Sequence, residues 1–123
     1  MVHLDTNFLI LALVPGSPQD ARLRAWIAAG ESIGLSSIAL AEFLSGPVTA
    51  EQVKLSCTFF PEPQDFTAQH ASRAAELFNQ TGRRRGSLLD CMIASSAMLA
   101  GASLATENLD DFRRFEPFGL VIA

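Results

Sequence analysis

Cysteine is scarce: only Cys57 and Cys91 occur, far apart in the chain and in no metal-ligand spacing. That argues against a disulfide framework and leaves a reducing cytoplasm as the default compartment. Cys91 lies on an apolar helical face, where it reads as a small buried hydrophobe. Long apolar runs are also lacking. The longest aliphatic stretch, Phe8 to Val14, falls far short of the roughly 20 residues that span a bilayer. Asp5, with no Lys or Arg before it, argues against a secretory signal peptide. A soluble chain with no membrane segment is expected. Positive charge is in deficit, since nine Lys and Arg face 13 Asp and Glu, for a net charge of −4. Proteins that grip nucleic acid by counterion release alone are usually basic. Any action of this chain on a nucleic acid therefore needs divalent ions to supply part of the positive charge.

What the sequence does hold is enough for one compact domain over residues 1–123. A chain of this size buries roughly two-thirds of its unfolded surface and needs no staple. Its apolar share of 49% exceeds what an internal core requires, which points to a partner surface and a homodimer. Short strands alternate with helices. Val2 to Asp5 reads as a strand, followed by a helix over Phe8 to Val14 that Pro15-Gly16 stops. Ser17-Pro18-Gln19-Asp20 starts a second helix, with Leu23, Trp26 and Ile27 on one face and Gly30 at its end. Ser32 to Leu35 forms a strand, and Ser36 or Ser37 caps a helix over Ile38 to Ser45. Thr49 and Gln52 make a capping box for a helix to about Cys57, with a strand at Thr58 to Phe60. Asp65 caps a helix to about Gln80, and Ser87 caps another over Leu88 to Ala100. Ser103 to Thr106 and Leu120 to Ile122 are strands, with a helical turn from Leu109 to Phe115 between them. The expected fold class is α/β, a three-layer sandwich around a central parallel sheet of about five short strands.

In such a sheet the functional crevice lies outside the carboxyl ends of the strands. Asp5 ends the first strand, Glu42 sits one turn into the helix after the second, Asp90 opens the helix from Leu88, and Asp111 follows the strand at Ser103 to Thr106. Four acids from four segments thus aim at one end of the sheet. Each has a plainer reading. Asp5 could cap the next helix, Asp90 could close a capping box with Ser87, and Asp111 could be a solvated helix start. Glu42 is the hardest to explain away, because a carboxylate among aliphatic neighbours is costly unless paired or metal-bound. With no Lys or His beside these acids, hard divalent cations fit better than zinc or a Ser-His-Asp mechanism. His3 and His70 read as structural.

Leu4-Asp5-Thr6-Asn7, Ser36-Ser37-Ile38 with Ala41-Glu42, Leu89-Asp90-Cys91-Met92-Ile93-Ala94 and Ala105-Thr106-Glu107-Asn108-Leu109-Asp110-Asp111-Phe112 follow one another in this order across nearly the whole chain. The pattern resembles the PIN-domain nucleases, and among them the VapC-type toxins of bacterial toxin–antitoxin pairs. The resemblance implies a PIN-like fold and Mg²⁺- or Mn²⁺-dependent hydrolysis of RNA phosphodiester bonds. It implies metal ligation and catalysis by Asp5, Glu42, Asp90 and Asp111, with Thr6 and Thr106 as supporting hydroxyls. Asn108 stands where some relatives carry an acid, removing one charge, and would orient a metal water. A cognate antitoxin partner is implied as well.

Arg83-Arg84-Arg85 is the one basic cluster. It reads equally as a solvated complement to a helix C-terminus and as an RNA phosphate grip near Asp90. Two other functions compete with the ribonuclease: a catalytically silent PIN-like module that binds RNA or protein, and a phosphoryl-transfer domain with Asp5 as nucleophile. The second has thin support, since no second Asp follows two residues on.

Overall fold

The structure, a computed structural model, describes all 123 residues. Strand β1 (Val2–Leu4) runs into helix α1 (Thr6–Ala12), followed by α2 (Pro18–Ala28), β2 (Ile33–Leu35), α3 (Ser37–Ser45), α4 (Ala50–Phe59), α5 (Ala68–Gln80), α6 (Leu88–Leu99), β3 (Ser103–Ala105) and α7 (Leu109–Phe112). A 3₁₀ turn over Arg113–Phe118 follows. The sheet has the order β2-β1-β3 and both pairings are parallel. Helices flank it, as expected for the α/β class. Because β1 is central and the chain crosses it to reach β3, the crevice opens outside the carboxyl ends of β1 and β3.

The caps follow the local code. Ser17, Ser36 and Thr49 are extended at the N-cap and accept from the backbone N–H three residues on, and Thr49 pairs with Gln52 as a full capping box. Elsewhere the structure corrects the sequence reading. The strand expected at Thr58 to Phe60 is absent. α4 continues through Phe59, with the Thr58 hydroxyl donating back to the Lys54 carbonyl at 3.0 Å. The sheet is extended instead at Gln64, bridged to Ser36, and the last expected strand is a single bridge between Leu104 and Ile122. Three strands and two bridges thus replace five strands. The cap of α5 is Thr67 rather than Asp65, with the Thr67 N–H donating to His70 Nδ1 at 3.1 Å. Ile27 faces solvent while Leu23 is buried, so the face of α2 is narrower than expected.

A cluster of 22 buried residues forms the core, with Phe8, Phe43, Phe112 and Phe115 among its largest fully buried side chains. Trp26 packs on Phe8 at 5.7 Å between ring centroids. In the middle of the sheet, His3 lies opposite Gly34 and is buried. Burial lowers its pKa to about 4, helped by the N-terminal charge and His70, so it sits in the sheet as a neutral ring.

Gly34 is required by that ring: a Cβ there would stand 2.6 Å from His3 Cδ2. Gly34→Ala should cost about 1–3 kcal/mol, the usual cost of overpacking, measured by urea unfolding. His3→Ala in the same chain should return part of the loss, as coupled neighbours do. Strictly additive losses would show that the ring and the glycine do not constrain one another.

Candidate functional site

Three carboxylates share one cleft of about 230 Å³, lined by Asp5, Glu42 and Asp90 together with Thr6, Asn7 and Asn108. Asp5 follows β1 directly and is 3% exposed. Its Oδ1 accepts from the Phe8 N–H at 2.7 Å, and its Oδ2 accepts a short hydrogen bond from the Thr106 hydroxyl at the end of β3. Burial raises its pKa above the usual carboxylate range, the two hydrogen bonds oppose that, and Glu42 and Glu107 add to it. Glu42 is half-buried on α3 and accepts from the Thr6 hydroxyl at 2.9 Å. Thr6 and Thr106, the hydroxyls that the resemblance implies as supporting, thus each donate to one of these acids.

Asp90 lies in the first turn of α6. A capping box with Ser87 does not form, because Ser87 adopts helical φ/ψ and its hydroxyl donates to the Arg84 carbonyl at 2.7 Å. The carboxylate is left for the cleft. Burial and then Asp111 push its pKa up to about 6; Arg114 pulls it down, and Glu42 and Asp5 raise it again.

Asp111 departs from the expectation of a single four-acid crevice. It lines a second, smaller cleft that shares the wall formed by Asp90. There its Oδ2 accepts from Asn108 Nδ2 at 2.6 Å, and Arg84 approaches its Oδ1 at 3.5 Å. Asn108 therefore orients an acid. No three His, Cys, Asp or Glu side chains converge at ligating distance. The donor set of the larger cleft is nonetheless all oxygen, and burial destabilises the anions of Asp5 and Asp90. That chemistry fits a hard divalent cation.

The basic cluster divides. Arg83, at a positive φ of 54°, donates to Asn79 Oδ1 and covers the Phe78 ring, so it belongs to the end of α5. Arg84 and Arg85 line the smaller cleft. The sequence reading missed Arg114, whose Nη2 lies 3.7 Å from Asp90 Oδ2. No local spacing links the two, and only the return of the chain through the 3₁₀ turn brings them together. Arg22 stacks on Trp26 one turn along α2 and on Phe8.

The raised pKa of Asp90 fixes a sign for stability. Above about pH 6 the folded state carries an anion that the unfolded state holds more easily, so Asp90 destabilises the metal-free protein there; below about pH 4 the carboxyl is neutral in both states and the penalty vanishes. In EDTA, Asp90→Asn should therefore be more stable than the parent at pH 8, by on the order of 2 kcal/mol after allowing for solvent screening. The gain should fade as pH drops from 6 to 4. Urea melts at pH 4 and pH 8 check this, and equal differences at both would remove the burial penalty.

A family model described as PIN domain matches residues 2–116. No curated protein sequence matches the chain. Among solved structures, a chain of VapBC2 from Rickettsia felis, bound to a DNA fragment from their promoter, aligns with a TM-score of 0.77 at 25% identity, covering 100% of this chain and 98% of that one. A chain of DNA-bound VapBC from Salmonella typhimurium gives 0.76 at 27% identity, covering 99% and 96%. One from a toxin–antitoxin complex of Klebsiella pneumoniae gives 0.75 at 24% identity, covering 100% and 97%, and bears on the fold alone. The family match spans all but the last few residues, and on that ground the chain belongs to the PIN domain family.

Proposed function

We propose that this chain is a metal-dependent ribonuclease, the toxin of a VapBC-type toxin–antitoxin pair, acting as one domain over residues 1–123. The observation that carries the reading is the cleft in which Asp5, Glu42 and Asp90 meet at the carboxyl end of a PIN-family sheet. Asp5, Glu42 and Asp90 would hold Mg²⁺ or Mn²⁺, with Asp111 completing the acidic surround. When bound, the cation screens the phosphate and lowers the pKa of a nearby water.

The residues divide the remaining work. Asp5, fixed by Phe8 N–H and Thr106, is the rigid anchor of the site. Glu42, held by Thr6 but half-exposed, takes a proton from the attacking water. The water oxygen bonds to phosphorus as the bond to the 3′ oxygen breaks, and that oxygen takes up a proton from solvent, leaving a 5′-phosphate and a 3′-hydroxyl. An Asp5 nucleophile is disfavoured, since it is buried with both oxygens engaged.

An antitoxin partner is supported by the relatives above that are chains of VapBC assemblies. Exposed Leu11, Val14, Ile27, Leu44, Leu88 and Leu89 supply apolar surface for that partner and for a homodimer. No helix is long and apolar enough to cross a membrane; a cytoplasmic location is part of the proposal.

Purified protein should cleave total RNA with Mn²⁺ or Mg²⁺ and not in EDTA. Glu42→Gln should lower the rate by about 10²- to 10⁴-fold, the usual loss on removing a general base. Asp5→Asn and Asp90→Asn should abolish cleavage while the circular dichroism spectrum is kept. Folded wild type without metal-stimulated cleavage would leave the silent binding module standing.

A further inference from the structure

Beside the carboxylate cleft lies a smaller one of about 90 Å³, lined only by Arg84, Arg85, Gly86, Ser87, Asp90, Asp111 and Arg114. No hydrophobic side chain faces it. Arg114 is its anomaly. The guanidinium stacks at 4.7 Å on the Phe115 ring, and its side chain is 17% exposed. All three of its nitrogens are buried and none has a hydrogen-bond partner. Its nearest carboxylate oxygen, on Asp90, stands at 3.7 Å, which is an ion pair without a hydrogen bond. A buried guanidinium with unused donors is costly, so this one is built for a partner not supplied by the chain.

The chemistry of that partner follows from the lining. Three arginines face two carboxylates, leaving a local excess of positive charge in a chain whose net charge is −4. The planar fork of Arg matches tetrahedral oxyanions, with parallel N–H donors that lysine cannot present. The wall at Gly86 and Ser87 is the start of α6, where Ser87 makes no side-chain cap. The first-turn N–H groups of a 12-residue helix therefore add donors of the same sign. Asp90 and Asp111 oppose an anion in the cleft; Asn108 already engages Asp111.

We propose that Arg114, with Arg84 and Arg85, forms a phosphate subsite that seats the RNA phosphate next to the one being cut. Asp90 is the wall common to both clefts, so a phosphate on Arg114 lies next to the carboxylates that act on its neighbour. This rests on the ribonuclease reading above, and it goes further by naming a buried anchor.

The test measures binding apart from catalysis. On an Asp5→Asn background, in EDTA at pH 8, a single-stranded RNA oligonucleotide is titrated at several chloride concentrations. Arg114→Gln should weaken binding and lower the slope of log K against log salt by about 0.7, one single-strand phosphate contact. Arg84→Ala with Arg85→Ala, both exposed in the parent, should lower it by about 1.4 without risk to the core. Arg114→Lys should restore the slope but not the full affinity, because the charge returns without the fork. Inorganic phosphate should compete with RNA more strongly than chloride at equal ionic strength, and lose that advantage in Arg114→Gln. Folded Arg114→Gln with unchanged affinity and slope would overturn the proposal. So would phosphate binding that depends on Arg114 while the RNA slope does not, which would assign the cleft to free phosphate. Loss of cleavage in wild type with the slopes behaving as expected would sink the nuclease reading and leave the subsite intact.

Discussion

The rest of the structure hangs on the carboxylate of Asp5. Its two oxygens are engaged separately, one by the Phe8 N–H and one by the Thr106 hydroxyl. One side chain thereby ties the end of β1 to the first turn of α1 and to the end of β3. The Thr106 hydroxyl in turn accepts from the Asn108 N–H at 2.9 Å, so the loop leading to Asp111 is suspended from the same point. A helix cap of this kind is worth about 1 kcal/mol. Here the cap is also buried and charged, and burial works against the anion that the two hydrogen bonds favour. Capping and function are consequently not rival readings of Asp5. The cap fixes the acid at the switch point, where it lines the cleft.

Where the sequence was legible, the deciding interactions were local. Ser17, Ser36 and Thr49 cap by reaching three residues ahead, and no distant contact competes with that geometry. The family pattern was legible for a related reason: it consists of short stretches placed at strand ends and helix starts, each carrying its own chemistry. The failures came where a distant or alternative partner decided the outcome. Thr58 to Phe60 has strand-like residues, yet the helix already under way from Ala50 reached Phe59 before Pro61 could end it. Ser87 and Asp90 have capping-box spacing, yet the Ser87 hydroxyl turned to the Arg84 carbonyl. Asp111 and Arg114 were illegible for a stronger reason. Asn108 holds Asp111 locally, but Arg84 reaches Asp111 and Asp90 reaches Arg114 only in the folded chain.

The charge distribution resolves the difficulty posed by an acidic protein that would handle a polyanion. Of nine cationic side chains eight are arginine, and three of these line one small cleft. The other two acids of the larger cleft, Asp5 and Glu42, lie on the far side of Asp90. Net charge is thus a poor guide to the field that a substrate would meet, since two adjoining clefts that share Asp90 differ in their local balance of charge. Asp90 stands where the two fields meet. It feels Asp111, Glu42 and Asp5 as repulsion and Arg114 as relief, and the repulsion with burial prevails. A cation drawing on Asp90 from the carboxylate side would weaken its hold on Arg114 and leave that guanidinium freer for phosphate. Cation and phosphate would then each favour the binding of the other, and linkage makes that coupling equal in both directions. On that physics, an acidic chain needs no basic face to hold RNA. It needs an arginine kept dry beside an acid that prefers another partner.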